Sequence, residues 1–130
     1  MIVDTSAIMS IILDEPEASA FMDALADDPS PLMAGGIWVE LAAVGTRGYQ
    51  GRIFDKLENV MRAAGITIVP TTARQSEIAH RAYRRYGLGT GHPAKLNFGD
   101  CFSYALAKES NEPLLFKGDD FTHTDVARAA

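Results

Sequence analysis

A chain of 130 residues with one cysteine has room for a single hydrophobic core, none for an internal disulfide, and too few thiols for a cysteine-built zinc or iron–sulfur centre. The formal charge of −5, from 12 Lys and Arg against 17 Asp and Glu, argues against a protein that coats nucleic acid through its overall field, although a local basic patch can still meet a phosphate backbone. No apolar run reaches the roughly 20 residues needed to cross a bilayer, no basic leader precedes Asp4, and the cysteine usage suits the cytoplasm.

In chain order, "MIVDTSAI" opens with a short apolar strand over residues 1–3, followed at once by Asp-Thr-Ser, which favour a strand end and a helix cap. An apolar helix over residues 7–13 follows, and a second helix restarts near Pro16 with Ala18, Phe21, Met22 and Leu25 on one face, until Pro29 and Pro31 stop it. Residues 32–34 read as a strand, and a helix begins near Ile37 with Glu40 in its first turns. Gly48 and Gly51 bracket a joint; Ile53, Leu57, Val60 and Met61 then recur at helical spacing up to Gly65. A strand over residues 66–69 leads to a helix capped by Thr71 or Thr72, and the Gly- and Pro-bearing stretch "LGTGHPAKLNFG" is a loop delivering Asn97 to Asp100. After the helix "NFGDCFSYALAKE" come a strand over residues 114–116, a polar turn at Gly118 to Asp120, and a tail too short for another substantial unit. Short apolar strands alternating with helices predict one α/β domain: a mostly parallel central sheet with helices on both faces.

Ligands in open α/β sheets gather at the carboxyl ends of strands. Asp4 ends the first strand, Asp100 starts a helix entered from a loop, Asp119 and Asp120 follow the last strand, and Glu40 sits early in an apolar helix. Each alone is adequately explained as a cap, a turn residue or a helix former. Together they repel one another unless a cation offsets them, and hard oxygen donors without a His or Cys cluster suit Mg²⁺, with Mn²⁺ as the alternative. Such a centre serves phosphodiester hydrolysis. Glu40 either positions or deprotonates water or adds a ligand; Thr5 and Ser6 either cap the helix or touch phosphate; Asn97 orients Asp100.

"MIVDTSAI", "WVEL", "NFGDCFSYALAKE" and "LLFKGDDFTHTDV", in that order, resemble the motifs of the PIN-domain ribonucleases, and closely those of the VapC toxins of bacterial type II toxin–antitoxin pairs. The resemblance covers nearly the whole chain and implies one PIN-like three-layer α/β/α sandwich over residues 1–130. It implies a Mg²⁺-dependent endoribonuclease cutting RNA, often structured RNA such as tRNA, restrained by a cognate antitoxin. Asp4, Glu40 and Asp100 correspond to the family's acidic residues, and "GDDF" offers a fourth, for which Asp119, directly after Gly118, is preferred to Asp120. The family's final edge strand is expected to be very short or absent.

Arg81, Arg84 and Arg85 form a local basic group, with Arg81 and Arg85 as candidates for phosphate contact and a solvated helix face as the plainer explanation. A homodimer is expected from the small core, from apolar faces bearing Ile37, Val44, Ile53 and Leu57, and from the resemblance. The apolar stripes at residues 7–13 and 38–44 suit an antitoxin helix that sends a basic side chain to the acids. Two other functions compete: a non-catalytic, metal-stabilised regulatory or scaffold domain, and a phosphotransferase with Asp4 as nucleophile. The latter is disfavoured because position 6, where a second acid is needed, is Ser6.

Overall fold

In the computed structural model, which describes residues 1–130, Ile2 and Val3 are wholly buried and form β1 (Ile2–Val3). This strand is inside a four-stranded parallel sheet of order β3–β2–β1–β4, with β2 Leu32–Ala34, β3 Thr67–Val69 and β4 Leu114–Leu115. Ile2 is in register with Leu32 on one side and Leu114 on the other, and Met33 with Ile68. Parallel strands this short and apolar need cover on both faces. The helices α1 (Thr5–Ile12), α2 (Ala18–Asp27), α3 (Gly35–Tyr49) and α4 (Phe54–Ala63) lie in the crossovers β1→β2→β3, and α5 (Ala73–Tyr86) and α6 (Phe98–Ser110) in the return from β3 to β4. Right-handed crossovers therefore place α1–α4 on one face and α5–α6 on the other, giving the expected α/β/α layers. Helix α6 packs across β1, β2 and β4, and α5 packs chiefly on α6.

Differences from the sequence reading have local causes. Helix α1 starts at Thr5, not residue 7, because the Asp4 side chain caps it by accepting from the Ser6 N–H at 3.0 Å. Helix α3 starts at Gly35, ahead of Ile37. Two glycines fit there because the backbone runs against neighbours: a Cβ on Gly36 would lie 3.0 Å from the Phe102 ring, and one on Gly35 3.3 Å from the Val69 carbonyl. The segment 87–97 is irregular but tied down, with a bridge between Gly87 and Leu96 and with Ala94 and Leu96 fully buried. The final edge strand is reduced to one parallel bridge, Leu114 to Arg128.

Three of the four residues expected to face a second copy face the core of this one. Ile37, Ile53 and Leu57 are buried, and Val44 lines the cleft described next. Their apolar surface is consumed by the packing of α3 and α4, so those faces do not argue for a dimer. The α1 stripe is likewise mostly interior, with Ala7, Ile8 and Ile12 buried and Leu13 exposed.

Candidate active site

All four strands run the same way, so their carboxyl ends share one edge, and there a cleft of about 750 Å³ opens. Asp4 enters it from the end of β1, Glu40 from the second turn of α3, Asp100 from the first turn of α6, and Asp120 from the 3₁₀ turn Asp120–His123 after β4. Asp119 does not line the cleft; it is exposed, and its carbonyl accepts from the Thr122 backbone N–H at 3.0 Å. Of the two acids after Gly118, the structure places Asp120 at the cleft and not the preferred Asp119. Gly118 takes φ +92° in the turn before the pair, and Asp120, itself exposed, lines the mouth of the cleft.

Each acid is held by a short-range partner. Asp4 is 2 % exposed: its Oδ2 accepts from the Ser6 N–H and from Ser6 Oγ at 2.6 Å, and its Oδ1 accepts from Ser103 Oγ at 2.6 Å. Ser6 Oγ in turn accepts from the Lys117 backbone N–H at 3.0 Å, which ties the start of α1 to the end of β4. Thr5 Oγ1 donates to Glu40 Oε1 at 2.5 Å. Asn97 and Asp100 form a capping box: Asn97 Oδ1 accepts from the Asp100 N–H at 2.8 Å, and Asp100 Oδ2 accepts from the Asn97 N–H at 2.9 Å. Thr5, Ser6 and Asn97 thus serve as holders of the acids, and Asn97 orients Asp100 as read from the sequence.

Burial pushes the Asp100 carboxyl up to about 7, and the charges of Asp4, Glu40 and Asp120 add to the rise against the opposing Asn97 hydrogen bond. Glu40 is raised too, by burial first and by the Asp4 charge, with the Thr5 hydrogen bond pulling the other way. Asp4, Glu40, Asp100 and Asp120 gather negative charge in the cleft, and the carboxyls of Glu40 and Asp100 rise in response to burial and to their neighbours. No three Asp, Glu, His or Cys side chains close tightly around one point, however. The donor set suits a hard divalent ion that keeps part of its water shell, since every ligand candidate lining the cleft is an oxygen and neither His nor Cys lines it.

The cleft also has residues that the sequence reading did not single out. Ser103 is fully buried under Asp4. Gly99 is packed so closely that a Cβ there would fall 1.5 Å from Glu40 Oε2. Arg47 lines the cleft seven residues after Glu40, two helical turns along the same face, a spacing that is legible in the sequence. Lys117, just past β4, lines it as well, with its ammonium bound to Glu15 at 2.7 Å and Glu17 at 3.6 Å. Arg81 and Arg85 are exposed on α5 and line no part of the cleft, and Arg81 pairs with Glu77 one turn away. Burial, and then the Asp100 charge, push the Cys101 thiol up to about 12, which leaves it an inert packing residue.

Residues 1–127 match the PIN domain family. Ribonuclease VapC42 of Mycobacterium tuberculosis is 46 % identical over 129 residues, covering 99 % of this chain and 98 % of that protein. Ribonuclease VapC28 of the same organism is 46 % identical over 129 residues, covering 99 % and 97 %. Among solved structures, the Mycobacterium tuberculosis toxin VapC20, described as cleaving the sarcin–ricin loop, superposes with a TM-score of 0.75 at 15 % identity, over 97 % of this chain and 95 % of that one. A toxin–antitoxin complex from Klebsiella pneumoniae gives 0.65 at 19 % identity, over 92 % and 88 %. These two superpositions establish the shared fold.

Proposed function

Because the chain belongs to the PIN-domain family of VapC ribonucleases, we propose that it is the toxin of a toxin–antitoxin pair, a Mg²⁺-dependent endoribonuclease that hydrolyses RNA phosphodiesters at the carboxyl edge of its sheet. The observation that carries this reading is the meeting of Asp4, Glu40, Asp100 and Asp120, up to 116 positions apart in the chain, in one cleft where burial and the neighbouring charges raise the carboxyls of Glu40 and Asp100. The same oxygens are the residues that would hold Mg²⁺, or Mn²⁺ in its place. The chemistry such an ion supplies when bound is neutralisation of charge developing on a phosphate and a more acidic water.

The chain's own residues divide the remaining work. Ser6 and Ser103 occupy both oxygens of Asp4 and keep the carboxylate in one orientation; Ser6 is thereby a holder of Asp4, which a phosphotransferase with a second acid at that position would not have. Thr5 engages Glu40 Oε1 and leaves Oε2, packed over Gly99, to take the proton of the attacking water. Arg47, which has no acidic partner, gives the cleft a cation for the phosphate backbone, whereas Lys117 is held by Glu15 and Glu17. A cognate antitoxin restrains the enzyme by presenting a basic side chain to the acids, and pairing of two copies rests on the family resemblance and is read directly by light scattering.

Incubating the protein with total RNA, with and without Mg²⁺, and mapping the new ends tests this. Wild type should cut at discrete positions only with the metal, and Asp4→Asn should lose about 100-fold or more of the rate. Metal-independent cutting, or an Asp4→Asn protein as fast as wild type, rejects the reading.

A further inference from the structure

Phe98 is 75 % exposed although it opens the helix that carries Asp100. Its neighbours in α6 show that this is placement and not want of interior space: Gly99, Cys101 and Ser103 take the buried face. A large aromatic surface left in water contributes nothing to folding. The ring is nonetheless held. It meets the Phe102 ring edge to face, with centroids 5.1 Å apart and planes at 80°, and Phe102 lies against the Gly36 backbone, where a Cβ would fall 3.0 Å from it. One edge of Phe98 is thus braced, and the ring borders the cleft two residues from Asp100. Val39, 67 % exposed, lines the same cleft from α3, and Arg47 lines it as a cation.

We propose that Phe98 is a positioning residue that stacks on an unpaired nucleobase beside the phosphate to be cut. This rests on the ribonuclease reading above. A base inside a helix is covered on both faces by its neighbours and has no surface to offer the ring; an unpaired base has one, whatever its identity. Arg47, the cleft cation without an acidic partner, complements a phosphate flanking such a base, which a neutral apolar protein segment does not require. The ring restrains the nucleotide's rotation next to Asp4, Glu40 and Asp100 and thereby contributes orientation, while taking no part in the proton transfers.

The test compares wild type with Phe98→Tyr, Phe98→Leu and Phe98→Ala, because Leu keeps apolar bulk and lacks a π-face. The probe is a short oligoribonucleotide carrying 2-aminopurine, single-stranded or annealed to its complement, titrated against each ring variant in an Asp4→Asn background to prevent cutting. Cleavage of the same strand by the four proteins with Asp4 intact gives KM and kcat. Wild-type Phe98 and Tyr should quench the aminopurine and bind the single strand at least about 10-fold better than the duplex. Leu and Ala should lose about 5- to 100-fold in affinity and the quenching, with KM rising and kcat changing by less than about 3-fold. Melting temperatures within a few degrees of wild type confirm that the variants fold, and rescue by Tyr excludes a purely structural effect.

Leu binding as well as Phe, or duplex binding as well as single strand, overturns the proposal. So does loss of affinity for a co-expressed antitoxin while RNA binding is unchanged, which assigns the ring to a protein contact. If wild type cuts RNA and Phe98→Ala cuts it with the same KM, this inference fails and the ribonuclease reading stands. If wild type neither binds nor cuts RNA, both fail.

Discussion

The two edges of the sheet treat their carboxylates in opposite ways. At the amino edge the Met1 ammonium lies between Asp28, to which it donates a hydrogen bond, and Glu112 at 3.2 Å. That bond holds the Asp28 carboxyl below its ordinary range against the opposing effect of burial. Burial by itself would lower the Met1 ammonium, but the two acids outweigh it and raise its pKa. At the carboxyl edge Asp4, Glu40, Asp100 and Asp120 meet without a cation paired to any of them, and Asp100 rises to about 7. Lys117, the ammonium at that edge, is bound to Glu15 and Glu17. The same residue type is a structural fastening where the fold supplies a counter-charge and a site where it does not. Folding gains nothing from the second arrangement, so the counter-charge is to come from outside, as a metal ion in the proposed reaction or a basic side chain in the proposed restraint.

Four experiments break or sharpen that contrast. Gly99→Ala carries the largest expected effect. The added methyl would fall 1.5 Å from Glu40 Oε2 and must displace that carboxylate, so cleavage should drop about 100-fold. Helix propensity favours Ala by up to about 1 kcal/mol, so an unchanged or higher melting temperature beside lost activity is the expected pair; activity retained would mean that the Glu40 position is not required. Next, Ser103→Ala removes the buried donor to Asp4 Oδ1 and should lower stability by about 1.5 kcal/mol and cleavage by about 10-fold, read by urea unfolding and an RNA time course.

The third uses pH. Asp100 binds its proton more tightly folded, at about 7, than unfolded, at the ordinary 3.8. Its contribution to the stability of the metal-free protein is therefore greatest below about 4 and is lost as the pH rises to about 7. Thermal melts in chelator should show the wild type losing stability through that interval, Asp100→Asn showing a flatter profile, and Mg²⁺ restoring wild type more than the variant. A wild-type profile that is flat or rises there defeats the assignment. The smallest effect belongs to the amino edge. Asp28→Asn should cost about 1 kcal/mol and leave RNA cleavage unchanged, because the ion pair it removes is fastening and faces away from the cleft.

Sequence reasoning reached far on this chain where the information is local. Asp-Thr-Ser after an apolar triplet marks the β1–α1 junction because a carboxylate there satisfies a helix N–H, as Asp4 does with Ser6. Thr72 caps α5 and Asn97 caps α6 for the same reason. The alternation of short apolar runs with helical periods was enough for the layered fold, because parallel strands need crossovers of that length. It misled on Ile37, Ile53 and Leu57, whose helical stripe looks the same whether it meets its own core or a second chain. It preferred Asp119 where the structure places Asp120 at the cleft, a choice that spacing within "GDDF" does not decide.

The sequence by itself determined the elements, the caps and the set of acids, since these depend on backbone hydrogen bonds and side-chain spacing within a few residues. Only the tertiary structure decided which acids share a cleft, that Ser103 holds Asp4 across 99 positions, that Gly99 makes room for Glu40, and that Lys117 is engaged by Glu15. Those contacts join segments far apart in the chain, and nothing short of packing the layers fixes the distances that set their strength.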